Sequence, residues 1–172
     1  PVQHNYQLYE KDKSLRDDSY ALTEPVKWEI LNGNCQFKGR LIGGCIDVLN
    51  DLIGTRYDYT KEFIGRYKDD GIVWYFDNFS LGCEDFYRCL FHMKQVGWFD
   101  NIVGVVVGRV MYPSGYYDDF TYQDALKKIF GEIPIIFNAD VGHVCPKMTM
   151  INGALVDIMC DNEYVSIKFT LE

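Results

Sequence analysis

Short apolar runs separated by turn residues divide the chain from residue 26 onward into predicted strands and helices. VKWEIL and CQFKGRLI flank Asn32-Gly33, a dipeptide typical of two-residue hairpin turns, and they predict an antiparallel hairpin. GIVWYFD, NIVGVVVG and IPIIFN are short and apolar, and they predict buried strands. MTMINGALVDIMC and EYVSIKFTL predict a terminal pair of strands, the former with a turn at Asn152-Gly153.

Apolar residues at helical spacing predict three helices between these strands. One stripe lies in GGCIDVLNDLIGT and ends at Gly54, and a second occupies residues 84–96 and ends at Gly97. The third, TYQDALKKIFG, begins with Thr121 and Asp124 in the arrangement of a capping box. Alternating strands and helices predict an α/β fold, with a central sheet that contains parallel pairs and antiparallel hairpins at both ends.

The first 24 residues differ from the rest because they are polar, carry mixed charges and have no sustained period. We expect residues 1–24 to form a linker or an extended arm, and residues 25–172 to form one folded domain. The chain starts with Pro1 rather than Met, so we expect it to be a piece of a longer protein.

Composition narrows the classes of function. The net charge of −8 over 172 residues argues against nucleic acid or an anionic membrane as partner, because both attract basic surfaces. Neither a spanning apolar run nor the layout of a signal peptide is present, which predicts a cytoplasmic protein. The six cysteines form no CxxC pair and have apolar neighbours, so we expect reduced core thiols and no zinc site.

His143 is the candidate for chemistry, because its loop DVGHVCP follows a predicted buried strand and such loops carry functional groups in α/β sheets. Asp77 ends another strand and could accept the Nδ1 proton of a catalytic histidine. The alternatives are a structural histidine and an aspartate that caps a turn. Asp140 is a second candidate orienting acid. The serines lack the surroundings of a nucleophile, and no GxSxG elbow is present.

Three segments resemble motifs of the LD-carboxypeptidase and microcin-immunity serine peptidases. GRLIGGCIDVLNDLIGT is similar to that family's Gly-Gly-Asn-Leu segment, and GIVWYFDNF resembles its strand ending in the catalytic carboxylate. IPIIFNADVGHVCPKMTMINGA resembles the segment with the catalytic histidine. The motifs occur in the family's order and span residues 39–154.

The resemblance implies that this chain is the second of two domains, a swivelling β/β/α domain. His143 would then be the catalytic base and Asp77 its orienting acid. The nucleophilic serine would lie in an N-terminal domain missing from this chain, to which residues 1–24 would connect. Residues 25–172 would be the C-terminal catalytic-support domain, with neither a metal nor an organic cofactor.

The expected substrate is a small murein peptide with an L,D-peptide bond. A peptidyl-nucleotide antibiotic and a non-catalytic binding domain are the alternatives, and a homodimer is a further expected partner. Gly43 and Gly44 are candidate substrate contacts, and Tyr116 and Tyr117 are candidates for a stacking wall.

Two positions depart from the family pattern. Phe76 falls on the family's glutamate and Asp77 on the acid after it, so either Asp77 replaces the glutamate or the carboxylate is lost. Cys45 stands where the family usually has asparagine. If Asp77 does not face His143, Glu84 and then Asp140 are the next candidate acids.

Overall fold

The computed structural model describes residues 2–3, 24–32, 36–144, 147–160 and 164–171. Its strands are β1 Val2–Gln3, β2 Glu24–Pro25, β3 Glu29–Ile30, β4 Gln36–Cys45, β5 Ile72–Asp77, β6 Ile102–Gly108, β7 Ile135–Ala139, β8 Leu155–Cys160 and β9 Val165–Thr170. Its helices are α1 Ile46–Leu52, α2 Thr60–Arg66, α3 Cys83–Gln95 and α4 Tyr122–Phe130.

Seven of the strands form one mixed sheet in the order β3-β7-β6-β5-β4-β8-β9. The four central strands β7, β6, β5 and β4 run parallel, and the pairs at either edge are antiparallel. Consecutive parallel strands lie side by side, each joined to the next through helical segments, as expected for strand–helix–strand units. The predicted α/β fold with a parallel-containing sheet is confirmed.

Strand β5 shows how the sequence separates the two faces of the sheet. Side chains alternate between faces along a strand. Ile72, Trp74 and Phe76 therefore enter the core on the helical side, with apolar residues of all four helices, while Val73 and Tyr75 point to the opposite face. Trp74 also donates from its indole nitrogen to the Trp98 carbonyl at 3.0 Å, which satisfies this buried polar atom.

The opposite face has a second, smaller core built mainly by the sheet itself. Phe37, Leu41, Val106, Val156 and Ile158 are buried there. Side chains of β9 and of the segment before β8 pack against them: Val165, Ile167, Phe169, Met148 and Met150. Apolar cover on both faces explains why the central strands are almost continuously hydrophobic.

The sequence predicted the principal elements between β4 and α4 but omitted one helix. Helices α1, α3 and α4 lie where apolar stripes predicted them, and Thr121 and Asp124 form the reciprocal capping box. Helix α2 was not predicted. Its seven residues include few apolar side chains, and only Thr60 and Ile64 are buried.

The predicted hairpin between VKWEIL and CQFKGRLI is wrong. Strand β3 pairs with β7 at the far edge of the sheet, with Glu29 opposite Phe137. Strand β4 cannot accept it, because β5 and β8 already occupy both sides of β4. The terminal hairpin exists, but it is formed by β8 and β9, and the MTM segment before Asn152 is not a strand.

Cys160 is disulfide-bonded, which contradicts the prediction that all six thiols are reduced. Cys45, Cys83 and Cys89 are free, as expected. Most of the predicted arm, residues 1–24, lies outside the described residues; within it, Val2–Gln3 pairs with Glu24–Pro25. Among the described helices, none has the length and apolarity to cross a membrane.

We expect Gly104→Ala to destabilise the protein by about 1–3 kcal/mol through overpacking. A Cβ at this position would lie 2.2 Å from Cδ2 of the buried Phe37 ring. The matched control is Gly65→Ala in α2, where no atom lies within 4 Å. That change should be neutral or stabilise by up to about 1 kcal/mol. Urea unfolding of both variants measures the difference, and equal midpoints would contradict this view of the core.

Candidate active site at the carboxyl edge of the parallel strands

The carboxyl ends of the parallel strands meet at one edge of the sheet, where α/β proteins commonly place their functional groups. Cys45 ends β4 and Asp77 ends β5, and these two residues are direct partners in the strand register. The loop after β7 returns across this edge and brings His143 to them. Three residues that are distant in sequence therefore lie together.

Asp77 and His143 form a hydrogen-bonded pair. Nδ1 of His143 lies 2.5 Å from Oδ2 of Asp77, and the backbone N–H of His143 donates to Oδ1 at 3.3 Å. The Asp77 side chain is only 5% exposed, whereas that of His143 is 44% exposed. A buried carboxylate thus holds an accessible imidazole by two contacts, the arrangement needed to fix a histidine tautomer.

The alternation along β5 decides which residue meets the histidine. Phe76 points into the helical core and is fully buried there, so the next side chain, Asp77, faces the opposite side of the sheet. Of the two alternatives left by the sequence, the geometry matches the one in which Asp77 takes the place of the glutamate. Its catalytic role stays a prediction.

Gly142 allows the loop to approach the carboxylate. Its φ of +95° lies in a region that side chains rarely adopt, and a Cβ there would lie 2.0 Å from Oδ1 of Asp77. Gly108, at the end of β6, plays a similar part, because its Cβ would lie 2.3 Å from the Val141 carbonyl oxygen. At both positions a side chain would collide with the neighbouring atom, so the backbone can come this close only with glycine.

An aromatic side chain that the sequence did not single out packs against the histidine. The Phe79 ring centroid lies 4.7 Å from that of His143, and the Tyr112 ring packs edge-on against Phe79 with centroids 5.3 Å apart. The turn that carries Phe79 is held by Asp47. Its carboxylate accepts from the Phe79 N–H at 3.1 Å and from the N–H and hydroxyl of Ser80 at 3.0 and 2.6 Å.

These hydrogen bonds keep Asp47 ionised. Partial burial acts to raise the pKa of its carboxyl, but the donors from Ser80, Phe79 and Cys45 outweigh burial and lower the pKa below its ordinary value. Asp47 belongs to the first turn of α1, directly after the strand end that carries Cys45. In the sequence, the only feature that could have pointed to Asp47 was its place two residues after Cys45.

An open cavity of about 360 Å³ exposes the pair to solvent. Besides Asp77 and His143, its described lining consists of the two strand ends and the loop before β8: Gly44, Cys45, Tyr75, Val141, Gly142, Lys147, Met148 and Met150. A small molecule could enter here and reach the imidazole. The cavity thus combines apolar walls with few polar groups, as ligand sites commonly do.

Cys45 also lies in this cavity, but as a protonated thiol. Burial, with the carboxylates of Asp77 and Asp47 nearby, raises its pKa to about 11. The sulfur donates to Oδ2 of Asp47 at 3.5 Å. A thiol with this pKa carries very little thiolate at neutral pH, and thiolate is the nucleophilic form of cysteine.

The predicted substrate contacts fall in different places. Gly44 lines the cavity, whereas Gly43 lies against β5: a Cβ there would lie 1.9 Å from the Tyr75 carbonyl oxygen. Tyr116 and Tyr117 are exposed and lie outside the described lining of the cavity. All four roles stay predictions.

The other candidate acids have different partners. Glu84 accepts from the backbone N–H groups of Tyr116 and Tyr117 at 2.9 and 3.0 Å, and so anchors the aromatic loop on α3. Oδ1 of Asp140 lies 3.2 Å from Nε of Arg109, and both side chains are largely buried. The structure brings neither acid to His143, whose described acidic partner is Asp77.

Comparisons with known proteins point to a peptidase family. A family model described as the LD-carboxypeptidase C-terminal domain matches residues 38–158. A Treponema pallidum (strain Nichols) protein named "Putative carboxypeptidase" is 26% identical over 131 residues, which are 76% of this chain and 37% of that protein.

Solved structures of MccF-like proteins share the fold. One from Streptococcus pneumoniae, in complex with AMP, is 27% identical, with a TM-score of 0.67 over 91% of this chain and 48% of the other. One from Bacillus anthracis str. Ames is 22% identical, with a TM-score of 0.69 over 97% of this chain and 48% of the other. The chain spans about half the length of these two structures. It spans 37% of the length of the Treponema pallidum protein.

We expect Gly142→Ala to separate Asp77 from His143, because the new Cβ would occupy the position of the carboxylate. The matched control is Gly153→Ala, which has a similar φ of +86° but no atom within 4 Å of the new Cβ. Both variants should lose stability from backbone strain. Only Gly142→Ala should remove the downfield Nδ1–H resonance of His143 in an NMR spectrum. Retention of that resonance would contradict the described geometry.

Proposed function

The chain belongs to the LD-carboxypeptidase family, whose C-terminal domain it matches, and from this premise we propose that it supplies the base and orienting acid of a serine-type carboxypeptidase site. One observation carries the proposal. A buried carboxylate and an accessible imidazole lie 2.5 Å apart in an open cavity. Such a pair supplies two of the three members of a catalytic triad, the base and the acid that orients it, and lacks the nucleophile.

In the proposed mechanism, Asp77 accepts the Nδ1 proton of His143 and leaves Nε2 unprotonated. Nε2 takes the hydroxyl proton of the attacking serine as the serine oxygen bonds to the scissile carbonyl carbon. The same proton then passes to the nitrogen of the leaving amino acid. Asp77 stabilises the imidazolium that forms between these two transfers and remains ionised.

We place the nucleophilic serine outside this chain, in the additional length that its relatives have. The cavity lining includes no described serine, and two described serines have other surroundings. Ser80 donates its hydroxyl to Asp47 at 2.6 Å, and Ser114 lies beside Gly82 at the start of α3. Cys45 is close to the pair, but its raised pKa argues against a thiolate nucleophile.

For the substrate we propose a murein peptide cleaved before a terminal D-amino acid. The cavity of about 360 Å³ is large enough for a terminal residue, and the side chain of Lys147 at its wall supplies a positive charge for a substrate carboxylate. Such a contact would favour substrates that end at the scissile residue over longer chains.

The second candidate substrate is a peptidyl nucleotide. The Streptococcus pneumoniae MccF-like protein was solved in complex with AMP, and exposed tyrosines of this chain could stack on a nucleobase. Glu84 fixes the backbone of Tyr116 and Tyr117, so this loop would be ordered before a ligand arrives.

A domain that kept the fold without catalysis is the alternative in which no substrate is turned over.

A cytoplasmic location stays a prediction, and one observation argues against it. Cys160 is disulfide-bonded, and disulfides persist mainly in oxidising compartments.

In the longer protein with the serine, we expect His143→Ala to lower kcat by a factor on the order of 10⁴, because the hydroxyl loses its base. KM should change much less. The matched control is His92→Ala. His92 is an exposed histidine on α3 whose Nδ1 lies 3.3 Å from Oδ1 of Asn50, and it is outside the described lining of the cavity. D-alanine release from a murein tetrapeptide measures both variants.

The same assay on the isolated chain should detect no D-alanine. Turnover by this chain alone would contradict the placement of the nucleophile. A His143→Ala enzyme within a few-fold of wild type would show that His143 is structural, and the peptidase mechanism would be wrong.

A further inference from the structure

Cys45 sits beside the Asp77–His143 pair, which gives this edge of the sheet a second kind of chemistry. Cys45 and Asp77 are register partners on neighbouring parallel strands, so their side chains leave the same face of the sheet. One sulfur, one carboxylate oxygen and one ring nitrogen of Cys45, Asp77 and His143 lie within 4.8 Å of one another. We propose that these three residues bind a divalent cation of the Zn²⁺ class.

The donor set selects the type of cation. Zn²⁺ accepts sulfur, imidazole nitrogen and carboxylate oxygen, and three protein ligands leave its fourth position for water or another small ligand. Mg²⁺ and Ca²⁺ prefer oxygen ligands and gain little from a thiolate. The cavity beside the three residues provides room for the fourth ligand.

The surrounding charges favour a cation. Besides Asp77, Oδ2 of Asp47 lies 3.5 Å from the Cys45 sulfur, so two carboxylates flank the thiol. Among the described lining residues the positively charged one is Lys147, which is exposed to solvent. An exposed ammonium is screened by water far more than the buried Asp77 carboxylate.

Metal binding and the hydrogen-bonded pair use the same carboxylate and the same imidazole and therefore compete. Ligand bonds to Zn²⁺ are about 2.0–2.3 Å long, which holds tetrahedral donors roughly 3–4 Å apart. On binding, the 2.5 Å contact between His143 and Asp77 opens, Cys45 comes closer, and the metal ion replaces the thiol proton of Cys45, which is released to solvent. His143 is half-exposed on a loop that follows Gly142, so its ring has space to move.

The regulatory consequence rests on the proposed function. A histidine that binds a metal ion through a ring nitrogen, with its orienting carboxylate also engaged, no longer has the geometry of a general base. Zn²⁺ would therefore hold the enzyme inactive, and removal of the ion would restore the pair.

Cobalt titration of this chain, after treatment with a chelator, tests the site without any assay of activity. Co²⁺ bound to a thiolate gives a charge-transfer absorption in the near ultraviolet. We expect this band to saturate near one equivalent of Co²⁺ and to disappear when Zn²⁺ is added, because Zn²⁺ binds such sites more tightly.

Cys45→Ser should abolish the band, and His143→Ala should weaken cobalt binding by at least about tenfold. The matched control is Cys89→Ser, which removes another free thiol, located on α3 and not among the three ligands. It should leave the titration unchanged. If Cys45→Ser fails to fold by circular dichroism, His143→Ala decides, because its side chain lies in an exposed loop.

Four results would each overturn the metal site. The absorption band could be absent in the wild-type chain, persist in Cys45→Ser or disappear in Cys89→Ser, or the cobalt affinity of His143→Ala could equal that of the wild type. The proposed function fails separately, when the longer protein releases no D-alanine after treatment with a chelator. In an active enzyme, Zn²⁺ should inhibit and a chelator should reverse the inhibition. Full activity with the metal bound would overturn the regulatory role.

Discussion

The burial of Asp77 is the constraint on which the site depends. A buried carboxylate at the end of a central strand loses most of its hydration, and without partners this costs several kcal/mol. The described partners come from the loop after β7, as the backbone N–H and the Nδ1 of His143. Satisfying one buried charge therefore fixes the loop, the histidine and the wall of the cavity together.

The sequence predicted what depends on local periodicity and failed where pairing over long distances decides. The apolar runs located β5, β6 and β7, and the stripes located α1, α3 and α4. The pairing of β3 with β7 could not be read from Asn32-Gly33, because a turn signal cannot show that both sides of β4 are occupied. Register of that kind is a property of the whole sheet.

In the candidate site, too, some residues could be predicted from the sequence and others could not. The ends of predicted strands pointed to Asp77 and His143, since carboxyl ends of parallel strands share one edge. Phe79 and Asp47 gave no comparable signal, because their importance comes from a turn folded against the histidine. The sequence also argued against a zinc site from the missing CxxC pair. Ligands supplied by three separate segments have no characteristic spacing, so Cys45 became a candidate ligand only in the fold.

A double-mutant cycle on kcat tests the central claim, that Asp77 acts only through His143. In the longer protein, Asp77→Asn, His143→Ala and the double variant are compared with wild type under chelator. If the acid only orients and stabilises the imidazole, removing it after the histidine has gone costs nothing further, and the double variant matches His143→Ala. Losses that add independently would contradict the account, because Asp77 and His143 would then not act as one unit.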